Sequence, residues 1–447
     1  MIHERERLGG STARDLALDC IEAGIEAADP ERAIREAVSL DGDRLFVGEA
    51  SYDLSEYEEV VVVGGGNAGG RMASAIEGVL GERISRGAVV TDAPEDTERI
   101  DVLPGDHPVP TERGVESTRA MLDLADEIGE NALAIVLISG GGSALMPAPA
   151  EGVSLEALRE VTEALLASGA EIDEINAVRK HCSAFKGGQL ARRVAPGTIV
   201  SLIVSDVIGN DLSTIASGPT APDETTFAEA REVLTRYRID PPEGIEKRLD
   251  RGERGEIEET PDGSDPAFDR VDNHVIADGF SSLEAVRDLA GERGYEPLVL
   301  SSRVRGEARE AAKTHVAIAE EVRATGNPLS SPAVICSGGE TTVTIRGDGT
   351  GGPNQEFALS AALELRGSGE VALAAVDTDG IDGASEAAGA VVDGATVSDP
   401  ESARAALADN DAYPYLEERD SLIETGPTGT NVNDLRVLVI ANSSESR

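Results

Sequence analysis

Apolar residues recur along this chain in two alternating rhythms. Short unbroken runs at Val60–Val63, Ala88–Thr91, Leu133–Ile138 and Ile199–Val204 each end in a glycine or small polar turn and pass into a helical segment. Runs that do not alternate with polar residues belong to strands covered on both faces, which predicts a parallel sheet flanked by helices. Ahead of them, Thr12–Ala27 sets Leu16, Cys20, Ile21 and Ile25 on one helical face, and Asp29-Pro30 opens a second helix carrying Ile34, Ala37 and Val38. Residues 241–270 lose apolar periodicity and read as a polar linker. The rhythm then resumes with strands at Val275–Ala277 and Leu298–Leu300, helices over Ser281–Leu289 and Gly306–Arg323, and strands near Ala333–Cys336, Thr341–Ile345, Val371–Val376 and Leu435–Ile440. The expected class is α/β in two domains, residues 12–240 and 271–447. Ligands on such sheets sit outside the carboxyl ends of the strands.

At 447 residues the chain is too long for a single core, which agrees with two domains. No apolar run approaches the ~18 residues of a membrane span, and the opening MIHERERLGG has no secretion-signal pattern, so a cytoplasmic protein is expected. Charge narrows the setting further. Asp and Glu number 84 against 39 Lys and Arg, a net charge of −45 dispersed along the whole length. Such a surplus strains a compact fold by self-repulsion unless salt shortens the Debye length to about 3 Å, as at molar concentration. The composition therefore fits a salt-accumulating cytoplasm. With no basic stripe, 3% aromatic residues and no tryptophan, nucleic-acid binding is excluded. Cys20, Cys182 and Cys336 have neither disulfide nor zinc spacing.

The glycine turns carry the candidate chemistry. Gly64-Gly65-Gly66-Asn67-Ala68-Gly69 fits G-x-G-x-x-G between a strand and a helix. It reads as a dinucleotide cradle with Asp92 on a ribose, as an anion site, or as a tight turn. Ser139-Gly140-Gly141-Gly142-Ser143 has the same context and exposes amides as an anion nest, but lacks a P-loop lysine. Asn176–Gly188 gathers Arg179, Lys180, His181 and Lys186, two of only four lysines in the chain, and reads as a positive wall for a phosphate or carboxylate. Asp206, at the end of a buried strand, suits a general base. In the second domain, Asp377, Asp379 and Asp382 on one turn suit Mg²⁺, which keeps its waters and takes one or two carboxylates. Further glycine turns hold Gly338 and Glu340, then Gly352-Pro353-Asn354-Gln355-Glu356, then Thr425–Asp434.

Taken in order, GDHPVP (105–110), SGGGSAL (139–145), INAVRKHCSAFKGGQLA (175–191), SDVIGNDLSTIASGPTAPD (205–223), SGGETTV (337–343), GGPNQE (351–356), DTDGIDGASEAAGA (377–390) and TGPTGTNVNDL (425–435) resemble the two-domain MOFRL type of glycerate 2-kinase, here in a halophilic archaeal style. The resemblance implies a larger Rossmann-like N-terminal parallel sheet, a smaller α/β MOFRL domain at about 332–437, and a site in the cleft between them. It implies ATP-dependent phosphorylation of D-glycerate at the 2-hydroxyl, with Mg²⁺ or another divalent cation. The partners expected are D-glycerate and ATP, with a homodimer admitted and neither nucleic acid nor a membrane. Asp206 matches the catalytic aspartate. Gly66, Ser139–Ser143, Arg179 and Lys180 become the acceptor and phosphate contacts, and Gly338, Glu340, Asn354, Glu356 and Thr378 the nucleotide contacts. The chain departs twice, with Asn67 where the family carries a lysine and Pro353 where it carries an arginine. Arg71, one turn beyond Asn67, and Lys186 are the expected substitutes. Two other readings stand beside this one: an NAD(P)H-dependent hydroxypyruvate reductase using Gly64–Gly69 and Asp92, and a non-catalytic metabolite-binding paralogue.

Overall fold

The computed structural model describes residues 1–442. The chain makes two compact units. Pro30–Ile276 forms one, and Met1–Asp29 folds with the chain from Ala277 on to form the other. The split differs from the expected 12–240 and 271–447 at both ends.

In the Pro30–Ile276 unit the sheet order is Ile100–Pro104, Arg86–Thr91, Glu59–Gly65, Ala132–Ile138, Thr198–Val204 and Val271–Ala277. Parallel ladders join the first five. Every residue of Ala132–Ile138 is buried, as its unbroken apolar run requires. Glu59–Gly65 comes first in the chain among these. The next two strands add on one side of it, and Ala132–Ile138 then starts the other side. The order reverses between Glu59–Gly65 and Ala132–Ile138, so a ligand crevice is expected beyond their carboxyl ends. A three-stranded antiparallel meander, Val38–Asp41, Arg44–Val47 and Ala50–Asp53, precedes the sheet and carries no strong sequence signal.

Two segments depart from the sequence reading here. Val271–Ala277 does not open the second domain; it takes the edge of this sheet beside Thr198–Val204. Residues 241–270 are not a linker. Glu243–Glu253 is a helix whose Ile245 and Leu249 are buried against Val178, Phe227, Val233 and Leu234. Two apolar residues one turn apart suffice to dock this helix, and the charges around them hide the period.

The other unit has a mixed sheet in the order Glu296–Glu307, Ala333–Thr342, Asp434–Ile440, Val371–Asp377, Gly389–Asp393 and Leu422–Ile423. Its first pair is parallel and the rest antiparallel. The segments expected as separate strands at Ala333–Cys336 and Thr341–Ile345 are one strand, and the helix expected from Gly306 starts at Ala308. Residues of Ala308–Thr325 and Pro353–Glu364 cover one face of the sheet, packing on Ile335, Leu373 and Leu438. The other face, with Val334, Cys336, Ala374 and Val437, is covered by Thr12–Ala27. That helix was expected in the N-terminal domain. It buries Ala13, Leu16, Ala17, Leu18, Cys20, Ile21, Gly24 and Ile25, and the Ser282 hydroxyl donates to the Gly24 carbonyl at 2.7 Å. All three cysteines are free and buried, and burial pushes each thiol up to about 12. Among the described residues no helix is long and apolar enough to cross a membrane.

Leu249→Ala is expected to cost about 2–5 kcal/mol of unfolding free energy, as core truncations do. A position on a solvated linker would change it by only about 0.5 kcal/mol. Urea titration in molar KCl checks this.

Candidate active site

Three strand ends of the Pro30–Ile276 unit come together. Gly66, after Glu59–Gly65, has φ +134°, and a Cβ there would collide with Ser139 Oγ and the carbonyls of Ser139 and Gly140. The first glycine turn is thus pressed directly onto the second. Its amides are spent in that joint. Gly66 N–H donates to Val90 O at 3.0 Å, Asn67 N–H to Gly140 O at 2.8 Å, Ala68 N–H to Ser139 Oγ at 3.1 Å and Gly69 N–H to Gly66 O at 2.9 Å. A pyrophosphate has no donors left from Gly66 to Gly69, so the phosphate contact expected at Gly66 is corrected: this glycine is a structural joint. Asp92, the expected ribose acceptor, takes a hydrogen bond from Asn67 Nδ2 at 2.9 Å.

The second turn behaves oppositely. Ser139 N–H donates to Gly65 O at 3.2 Å, while the N–H groups of Gly140, Gly141, Gly142 and Ser143 have no acceptor among the described residues. Side chains from the other strand ends close over this open turn. A Cβ on Gly140 would strike the Asp206 carboxylate, and one on Gly141, at φ +74°, the Asn67 carboxamide. Glycine at both positions lets the two side chains lie against the backbone. Lys186 approaches from below, its Nζ donating to the Ser143 carbonyl at 3.0 Å.

Lys186 is buried and, among the described residues, has no carboxylate partner. Burial first, and the neighbouring Arg179 charge second, hold its ammonium down to about 7. Arg179 is half-buried, likewise without an ion pair among the described residues, and burial lowers it too. Lys180 faces elsewhere: its Nζ lies 3.2 Å from Asp223 Oδ1, with both side chains buried. The Asp223 carboxylate also accepts from Thr225 and Thr260. The expected wall therefore reduces to Arg179 and Lys186, and Lys180 is corrected to a structural ion pair. His181 packs edge-on to Phe227 and lies 3.2 Å from Glu259. Arg71 lies 3.9 Å from Glu31; of the two expected substitutes for a lysine at position 67, Lys186 is the one bonded to the open turn.

In the other unit most of the expected contacts are internal. Pro353 starts the helix Pro353–Glu364, where its fixed φ and missing N–H suit the first turn. Asp382 caps it, accepting from Asn354 N–H at 3.0 Å on one oxygen and Gln355 N–H at 2.8 Å on the other. Asn354 Nδ2 donates to Asp434 Oδ1 at 2.6 Å. Glu356 is held by Arg309 at 2.6 Å and Asn410 at 2.7 Å. The Thr378 hydroxyl donates to Asn433 O at 2.8 Å and accepts from Val432 N–H at 2.9 Å, pinning two loops together. Gly338 is buried mid-strand opposite Leu435, and Glu340 is exposed. Asn354, Glu356 and Thr378, the expected nucleotide contacts, here make packing and loop-fixing bonds. Burial, with the neighbouring carboxylates, raises Asp377 and Asp379, and burial pushes Asp382 up to about 7. Among the described residues no three His, Cys, Asp or Glu side chains converge to hold a metal ion, so the expected Asp377–Asp379–Asp382 triad is not formed. The sequence reading missed the buried Asp434–Arg436 pair at the centre of this cluster. Its signal was a charged pair one strand repeat apart inside an otherwise apolar run.

Residues 16–250 match the model described as a domain of unknown function, DUF4147, and residues 333–434 match the MOFRL family model. The chain belongs to the DUF4147–MOFRL family. It is similar to the D-glycerate 2-kinase of Thermotoga maritima, 40% identical over 435 residues covering 96% of this chain and 98% of that one. It is equally similar to the glycerate 2-kinase of Pyrococcus horikoshii, at 40% over 443 residues, 97% and 98% of the two chains. The crystal structure of the Thermotoga maritima glycerate kinase superposes with a TM-score of 0.85 at 39% identity, covering 95% of this chain and 99% of that one. The DUF4147 match starts within Thr12–Ala27, a helix that packs in the C-terminal unit, so the family's sequence unit and the compact unit are not the same object.

Two lysines six residues apart are expected to respond oppositely to replacement. Lys180→Met strands the buried Asp223 and is expected to cost about 3–5 kcal/mol. Lys186→Met removes a buried charge without a counter-ion and is expected to raise stability at neutral pH. Denaturant titration of both variants at pH 6.5 gives the two signs.

Proposed function

We propose that this protein transfers the γ-phosphoryl group of ATP to the 2-hydroxyl of D-glycerate, giving 2-phosphoglycerate and ADP. One observation carries the reading: in a chain of net charge −45, Lys186 and Arg179 lie buried or half-buried with no carboxylate partner among the described residues, beside four amides that find no acceptor among them, with the Asp206 carboxylate against the same turn. Such a site waits for an anion that carries a hydroxyl. The family relatives named for glycerate phosphorylation support the same acceptor.

In this mechanism the amides of Gly140–Ser143 and the two cations bind the acceptor's carboxylate and the transferring phosphoryl group. Asp206 takes the proton of the attacking 2-hydroxyl as the new O–P bond forms and the bond from the γ-phosphorus to the β–γ bridging oxygen breaks, leaving ADP. Most of the barrier reduction comes from holding the groups in line and from donors already aimed at the developing charge. Asp377 and Asp379 each spend one oxygen on a local amide, from Asp379 and Ile381, and their raised affinity for protons marks a demand for positive charge. These two fit a divalent cation that keeps its waters, whereas Asp382 is committed to its helix. Such a cation would neutralise nucleotide phosphate charge. The reductase reading loses the cofactor cradle it relied on, because the first glycine turn has spent its amides.

Asp206→Asn is expected to lower kcat by about 10²–10⁴ while KM for D-glycerate changes little, measured by coupled ADP release in molar KCl. Lys186 sets the alkaline side. Its ammonium is present below about 7 and lost above it, so kcat/KM for D-glycerate falls about tenfold per pH unit beyond that point. Lys186→Arg, charged throughout, is expected to flatten that limb.

A further inference from the structure

Behind the open turn runs a chain of three polar side chains. Ser143 Oγ lies 2.7 Å from Ser217 Oγ, and Ser217 Oγ lies 3.2 Å from Asn176 Oδ1. Ser217 is fully buried and Asn176 is 4% exposed, so the inner two members are shielded from solvent. The backbone that presents Ser217 is forced. Ala216 and Ser217 are consecutive non-glycine residues at φ +49° and +61°. They are held by Ser217 N–H to Thr214 O at 2.9 Å and by Gly187 N–H to Ser217 O at 2.9 Å. Strained residues of this kind persist where the surroundings over-determine them, and they gather at functional sites. The second of those bonds ties Ser217 to the residue after Lys186.

The protons in this chain can be counted. A carboxamide oxygen only accepts, so the single Ser217 proton goes to Asn176. The Ser217 oxygen must then accept from Ser143, and the Ser143 proton points inward. What Ser143 Oγ offers to the open turn is a lone pair. Around the turn stand donors, namely the Lys186 ammonium on the Ser143 carbonyl, Arg179 beside Lys186 and the N–H groups of Gly140–Ser143, together with the Asp206 carboxylate and the Asn67 carboxamide. The site thus combines several donors for anionic oxygens with neutral acceptors, the Asn67 carboxamide oxygen at Gly141 and Ser143 Oγ, of which Ser143 has its polarity fixed from behind.

We propose that Ser217 and Asn176 are positioning residues that fix Ser143 as a hydrogen-bond acceptor for the acceptor substrate's non-reacting hydroxyl, so that the site selects a 2,3-dihydroxy acid over its 3-deoxy analogue. The inference rests on the D-glycerate reading above and extends it. D-glycerate has a carboxylate for the donors, a 2-hydroxyl whose proton goes to Asp206, and a 3-hydroxyl whose proton needs an acceptor. D-lactate matches it in every respect except that 3-hydroxyl. A site built to bond a hydroxyl discriminates strongly against the analogue lacking it, because its own polar group is left unpaired.

The test is the ratio of kcat/KM for D-glycerate to that for D-lactate, with ATP, Mg²⁺ and molar KCl. The intact enzyme is expected to favour D-glycerate roughly a hundredfold or more. Ser217→Gly suits φ +61° and removes backbone strain while deleting the hydroxyl. Its ratio is expected to fall at least about tenfold, mainly through a higher KM for D-glycerate, with thermal stability maintained. Ser143→Ala is expected to lower the ratio similarly, and adding Ser217→Gly to it to change the ratio no further, since Ser217 acts only through the Ser143 hydroxyl. A purely structural role for Ser217 would instead add its effect to that of Ser143→Ala and leave the ratio alone, which overturns the proposal. An intact enzyme that phosphorylates both acids equally well overturns the relay while leaving the kinase reading in place. One that phosphorylates neither overturns both.

Discussion

Two cations without a counter-ion among the described residues, Lys186 and Arg179, govern the Pro30–Ile276 unit. Desolvating an ammonium or a guanidinium is costly unless a carboxylate or an equivalent set of acceptors repays it. This chain has 84 carboxylates from which to supply a partner, and it does so one residue away from Arg179, where Lys180 meets Asp223. At Lys186 it supplies only a backbone carbonyl and the ring of Phe185, 5.9 Å away. The fold therefore tolerates a desolvated charge that the anion of the proposed reaction would relieve. The dispersed acidic surplus does not repel that anion at molar salt, because charges more than about 3 Å apart are screened while the local donors keep their effect. Net charge governs the solubility of this molecule; a few ångströms of unpaired cation govern what it holds.

The two glycine turns explain how the cations are kept in place. Both follow buried parallel strands and both are rich in glycine, yet one is saturated and the other open. The difference comes from what each turn is pressed against. The turn after Glu59–Gly65 is pressed on one side against the Val90 carbonyl and on the other against Ser139 and Gly140. Its glycines serve backbone-to-backbone contact. That contact holds the Ser139–Ser143 turn still, so its free amides, Asp206 and Asn67 keep their places without a ligand. Rigid support by one turn is what lets the other act as a preorganised site.

The parallel strands were legible because a short unbroken apolar run between glycine turns suits a strand buried on both faces, and the crevice followed from the order of the strands. Partners distant in sequence were not legible. Thr12–Ala27 is visibly a helix, but nothing in its own pattern says that it packs beside Ser282, 258 residues from Gly24. Glu243–Glu253 hides two core residues among charges. In the site, Lys186 and Asp206 stood out through scarcity and strand-end position. Lys180 shared that signal and differs only because a distant loop brings Asp223 to it. The acidic turn misled for the same reason: Asp382 reads as a ligand until a helix start 28 residues earlier takes both of its oxygens.

Asn67, at the position where the resemblance implies a lysine, fits this electrostatic arrangement. Its carboxamide lies on Gly141 and donates to Asp92, so the position still offers an oriented polar group at the open turn. An ammonium there would place a third positive charge around a turn already bordered by Lys186 and Arg179. Like charges lower each other's proton affinity, and Arg179 already acts on Lys186 in that direction. With Lys186 titrating near neutrality, any further depression would strip its charge at the pH where the chemistry runs. A neutral amide at position 67 keeps Lys186 charged for longer. In the proposed reaction the positive charge is thereby carried by a buried lysine bonded to the second turn and not by one on the first.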